Sequence, residues 1–150
     1  MKACISTEGL SNNEAVSRAR EWKGIVGVDY VKEVTHRQAF AWDPQDDLSH
    51  GWKADHMADG RMEYASKLPD ADIPIVAFDF GIKYNILRKL RQRGFRVQVV
   101  PATATAEEVM QYKPQGVFLS NGPGDPEALG YAHESVRGLM GEVPIFGICL

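Results

Sequence analysis

The second half of the chain alternates two hydrophobic rhythms. PIVAFDF (74–80), FRVQVVP (95–101), GVFLS (116–120) and PIFGI (144–148) are short apolar runs of strand length. Between them the apolar positions recur at helical spacing. In IKYNILRKLRQRG, Ile82, Ile86, Leu87 and Leu90 fall on one face, and Gly94 marks the C-terminal stop. TAEEVMQY opens on Thr105 with Glu108 three residues on, the pattern of a capping box. YAHESVRGLMG predicts a third, weaker helix. Strands that are nearly all apolar and alternate with helices predict an α/β fold: a mostly parallel, doubly wound sheet covered on both faces. In such a sheet the chemistry collects just past the carboxyl ends of the strands. That rule points to Phe80–Gly81, Asn121–Pro126 and Cys149–Leu150.

The first half is less regular. SNNEAVSRAREWKG offers cap residues at Ser11–Asn13 and predicts a short helix ending at Gly24. GVDYVKEVT (27–35) reads as a short extended piece. RQAFAW and RMEYA read as strands, with DPQDDLSHG and ADG as turns. The polar, two-proline stretch SKLPDADIP divides the chain near residues 66–74. The expected organisation is one unit over 1–66, a linker over 67–73 and the sheet-forming unit over 74–150. Trp22, Trp42 and Trp52 read as packing residues rather than a binding cage.

Composition narrows the function classes. The 150 residues are 25% charged and 44% hydrophobic, an ordinary globular balance. A net charge of -3 gives no electrostatic case for nucleic acid or an anionic membrane. No apolar run approaches the roughly 20 residues a membrane span needs. The N-terminal stretch MKACISTEGLSNNE lacks the apolar core of a signal peptide. The two cysteines, Cys4 and Cys149, are therefore expected as free thiols in a cytoplasmic chain. The histidines (36, 50, 56 and 133) show no metal-ligand spacing and no CxxC pair is present, so no metal site is expected.

Three loops carry the candidate chemistry. In SNGPGDP, Gly122 and Gly124 let the backbone turn tightly and bring its N–H groups to a ligand. Such a loop serves as an anion or oxyanion cradle, or is a tight turn and nothing more; the residues alone leave both open. A dinucleotide fingerprint would need glycine at 127, where Glu127 stands. DFG at 79–81 lacks every companion motif of a kinase, and Asp79 reads as an acceptor that fixes its loop. GIC at the end of the fourth strand has the place of a strand-to-helix turn that exposes a nucleophile. Gly147 would allow close packing under that turn, and a following helix N-terminus would favour a thiolate. The N–H of Leu150 would contribute to an oxyanion hole. Against this stands the common fate of a cysteine after an apolar strand, a buried inert thiol.

DFGIKYNILRKL, LSNGPGDP and PIFGICL, in this order and near this spacing, resemble the class I glutamine amidotransferase domain. SNGPGDP and GIC alone fit several amidotransferases of the class, including the anthranilate synthase type. The D-F-G-x-K-x-N-I-x-R-x-L stretch, with ACIST and GVDYVKEVT ahead of it, is similar to the small, glutaminase chains of carbamoyl-phosphate synthetases. The resemblance covers nearly all of the chain. It implies a flavodoxin-like strand order in the second unit, the N-terminal half of the amidotransferase domain, with residues 1–66 as the end of a smaller α/β domain.

For function, the resemblance implies that a cysteine attacks the side-chain amide of L-glutamine, with a glutamyl thioester as intermediate. The ammonia passes to a large synthetase chain, which uses ATP, Mg and bicarbonate to make carbamoyl phosphate for arginine or pyrimidine biosynthesis. Cys149 matches the nucleophile. Leu150 matches the next position, whose N–H helps hold the oxyanion, and Gly122 and Gly124 match the loop that contacts glutamine. No cofactor is implied in this chain.

The family's base is a histidine, oriented by a glutamate, downstream of the cysteine. His36, His50, His56 and His133 all precede Cys149. The expectation is thus of an internal piece, truncated at both ends and inactive by itself. Two other readings compete: a non-catalytic docking module with an inert Cys149, and a flavodoxin-like nucleotide-binding domain that uses NGPGDP for phosphate.

Overall fold

The computed structural model of the chain describes residues 2–50, 55–56, 62–63 and 68–149. Four apolar runs form the parallel strands of one sheet: β4 (Ile73–Asp79), β5 (Phe95–Pro101), β6 (Gly116–Leu119) and β7 (Ile145–Gly147). A short strand β1 (Phe40–Ala41) joins the edge antiparallel to β5. The spatial order is β1-β5-β4-β6-β7. Taken over the parallel strands alone, this is second-first-third-fourth, the flavodoxin-like order. A separate two-stranded ladder pairs β2 (Asp55–His56) with β3 (Met62–Glu63).

The period of two along β4 explains why its residues are apolar on both faces. Val76 and Phe78 face one way and pack with Val109 of α4 (Ala106–Gln111) and Ala132 and Leu139 of α5 (Gly130–Leu139). Ile75 and Ala77 face the other way, against Leu87 of α3 (Tyr84–Arg91), Ile82 and Trp42. Helices thus cover both faces, as the apolar strands required.

Local chemistry sets the helix starts. Thr105 and Glu108 form the reciprocal capping box at the head of α4. Ser11 and Glu14 do the same for α1 (Asn12–Glu21), which ends at C-cap Trp22, two residues before Gly24. GVDYVKEVT differs from its extended expectation: Val31–Val34 is one helical turn, α2. The Asp29 side chain accepts the Lys32 N–H at 3.2 Å, which starts the turn, and Val31 is fully buried in the core. RQAFAW contributes only Phe40–Ala41 as strand, because the chain turns at Asp43, whose φ is +46°. Of RMEYA, Met62–Glu63 is strand, and the remainder lies outside the described residues, as does Trp52. Trp42 is buried, whereas Trp22 is largely exposed.

Candidate functional site

Three strand ends fix the site. Leu119 pairs with Phe78 of β4 and with Gly147 of β7, so the loops after β4, β6 and β7 leave the sheet at one edge. The Ile148 N–H donates to the Leu119 carbonyl at 3.1 Å, and the next residue is Cys149. Its φ is +82°, in the left-handed region that non-glycine residues seldom occupy. Such a backbone costs of order 1–3 kcal/mol and persists where neighbouring structure imposes it. The Cys149 thiol is free and the residue is exposed. Glycine at 147 is not demanded by close packing: an added Cβ would meet Leu119 at an ordinary 3.5 Å.

The loop after β6 is tied to the loop after β4. Ser120 Oγ accepts the Phe80 N–H at 2.9 Å and donates to the Asn121 carbonyl at 2.8 Å. The Asn121 carboxamide accepts the Lys83 N–H at 3.1 Å and donates to the Gly81 carbonyl at 3.0 Å. Gly122 and Gly124, both half-buried, follow in this loop beside the β7 end. Gly124 has a φ of +92°, and a Cβ there would lie 3.3 Å from the Val28 carbonyl oxygen.

Asp79 is the hub of the β4 loop. Its side chain is 1% exposed. One oxygen accepts the N–H groups of Gly81 and Ile82 at 2.9 and 2.8 Å. The other accepts the His36 backbone N–H at 2.8 Å and faces His36 Nδ1 at 2.6 Å. That short contact makes Nδ1 the protonated nitrogen, so in the neutral ring Nε2 accepts from the Tyr84 hydroxyl at 3.2 Å. Burial, the largest single influence, pushes the Asp79 carboxyl up; the bonds from Ile82, His36 and Gly81 together outweigh it and hold the group below 3.8.

Cys149 and the Gly122–Gly124 loop thus stand on adjacent strands, while Leu150 lies outside the described residues. His133 is exposed on α5. Among the described residues no hydrogen-bond partner meets the Cys149 thiol. A cavity of about 450 Å³ forms a mostly apolar hollow between Leu119 and Phe80 and the Val136–Arg137 side of α5; neither Cys149 nor the glycines line it. Sequence reasoning anticipated Asp79 as a loop-fixing acceptor and pointed to the stretch that opens at Asn121, but missed Ser120 and His36. Ser120 is the polar residue that ends the apolar run GVFLS, a usable signal; His36 gave none.

Residues 76–150 match the model of the family described as glutamine amidotransferase class-I, half of the 150-residue chain. The chain belongs to the class-I glutamine amidotransferases. All three loops lie within the matched residues, whereas His36 and Val28 precede them. The whole chain is also similar to the carbamoyl phosphate synthase small chain of Akkermansia muciniphila, 48% identical over 151 residues and covering 36% of that protein. The corresponding small chain of Rhodopirellula baltica is 43% identical, with all of this chain and 38% of that one covered. The chloroplastic small chain of Oryza sativa is 41% identical over 97% of this chain and 30% of its own length. The chain therefore spans about a third of the length of the curated relatives it matches.

Proposed function

We propose that the chain belongs to the glutaminase subunit of a carbamoyl phosphate synthase. The observation that carries this is the left-handed Cys149 at the end of β7, one strand from the glycine loop after β6. The kinship with small chains at 41–48% identity supports it.

In this reading the Cys149 thiolate attacks the side-chain carboxamide carbon of glutamine. A C–S bond forms and the carbonyl π electrons move to oxygen. Backbone N–H groups of the Gly122–Gly124 loop and of Leu150 are assigned to that oxyanion, whose charge exists only past the ground state. Collapse breaks the C–N bond; the general base returns to the nitrogen the proton it took from the thiol, and ammonia departs. Water then attacks the thioester, releasing glutamate and restoring the thiol. The relatives extend beyond the third of their length that this chain spans, and the reading assigns the general base to that further length. The ammonia passes to a large synthetase chain, the partner that binds ATP and Mg. The nucleophilic thiol needs a reducing compartment, which favours the cytoplasm.

The deciding experiment is Cys149→Ser in the full-length protein with its partner. Glutamine-dependent carbamoyl phosphate synthesis is expected to vanish while ammonia-dependent synthesis survives. Glutamine-dependent synthesis that persists in the variant overturns the assignment.

A further inference from the structure

The segment ahead of the matched residues touches the glycine loop at several points. Asp125, which closes that loop, uses both carboxylate oxygens: Oδ1 accepts the Glu127 N–H at 3.1 Å and Oδ2 accepts the Gly27 N–H at 3.1 Å, across 98 positions of sequence. One element later, the Tyr131 hydroxyl donates to Asp29 Oδ1 at 3.3 Å, across 102 positions. Lys32 Nζ lies 4.9 Å above the Tyr131 ring. It also lies 3.2 Å from Asp29 Oδ2, an ion pair without hydrogen-bond geometry. The Val28 carbonyl and the Tyr30 ring stand 3.3 and 3.5 Å from where a Gly124 Cβ would be. Val31, wholly buried, pins this segment to the sheet.

We propose that Gly27–Val34 is a brace of the glutamine site, holding the Gly122–Gly124 loop through two positioning residues, Asp125 and Tyr131. The inference rests on the glutaminase reading and extends it to residues outside the family-matched stretch. Its logic is entropic and geometric. A loop with two glycines has wide conformational freedom. Oxyanion donors act only where they are held close to their working position. Ser120 and Asn121 fix the entry of the loop; at its exit the brace contacts add to the local turn that Asp125 makes with Glu127. Burial, then the adjacent Asp29 charge and the bond to it, push the Tyr131 phenol up to about 12, so it stays a neutral donor at any working pH.

The test is steady-state glutaminase kinetics of the full-length protein with Tyr131→Phe and Asp125→Asn, beside wild type and Cys149→Ser. Thermal melting and iodoacetamide labelling of Cys149 accompany each variant. The phenylalanine change removes one hydroxyl; the asparagine change puts an N–H donor against one of two N–H groups. Both are expected to lower kcat about 5- to 50-fold, below the 10²–10³ of an oxyanion donor removed outright. KM for glutamine should stay within about threefold, because the oxyanion is absent from the ground state. Labelling of Cys149 should match wild type.

Three results overturn the brace alone: kcat near wild type in both variants, a change confined to KM, or a kcat loss that only tracks the fraction unfolded. Wild type without glutaminase activity, or Cys149→Ser that retains it, overturns the glutaminase reading and the brace with it. The wild-type and Cys149→Ser controls therefore separate the two failures.

Discussion

Asp79 spends one buried carboxylate on four hydrogen bonds, three from backbone N–H groups and one from the His36 ring. Its folded pKa is held below the ordinary 3.8. The stability it contributes is therefore present above about pH 4 and is lost as pH falls through the lower, folded value. Asp79→Ala should cost about 2–4 kcal/mol at neutral pH, since it orphans buried donors. Denaturant titrations at pH 7 and pH 3 check both the size and the sign: the gap to wild type should narrow on the acid side. Tyr131 makes the opposite case. Its folded pKa, about 12 against 10.0, means stability fully present below pH 10 and lost as pH rises towards 12. Ultraviolet titration of the phenols should show one late-ionising group that Tyr131→Phe removes. Position at a strand end was enough to read Asp79 as a loop-fixing acceptor. Its partner His36 lies 43 residues away, and no local pattern marks that pairing.

The two capping boxes are chemically alike but support elements of different weight. Helix α4 buries Val109 against the sheet, whereas none of the ten residues of α1 is buried. Thr105→Ala should lower global stability by about 1 kcal/mol. Ser11→Ala should fray α1 and leave the global transition almost unmoved, because a helix that buries nothing adds little to cooperative unfolding. Chemical denaturation of both variants, with hydrogen exchange for α1, distinguishes the cases. Gly138 in α5 shows packing overriding propensity. Alanine there would gain about 1 kcal/mol as a helix former. Its Cβ would lie only 2.9 Å from the Ala106 Cβ of α4, and that overpacking costs about 1–3 kcal/mol. Gly138→Ala should thus lower the melting temperature. The Thr105 box was legible because three-residue spacing is a local signal, and Ser11 stood among the cap residues; the Gly138 contact was not legible, since it depends on how two helices cross.

At the scale of the molecule, β7 is an edge among the described strands, paired only with β6; Phe146 on it and Ile148 just past its end are 67% and 40% exposed. Unpaired edges beside apolar side chains template association. The 150-residue chain should self-associate as concentration rises, and Phe146→Lys should reduce this in light scattering. What the sequence determined by itself is the set of elements of the second half and their layering. Strand runs, helical periodicity, capping boxes and stop glycines are each written within a few residues, and strands apolar on both faces require a covered parallel sheet. It also placed Cys149 and the Gly122–Gly124 loop at strand ends. Only the tertiary structure decided that GVDYVKEVT is a helical turn, that Phe40–Ala41 joins the main sheet, and that residues 27–36 lie against the loops of the site. Those contacts join residues 43 to 102 apart. Their geometry is set by how distant segments pack against the sheet, and no local periodicity encodes that.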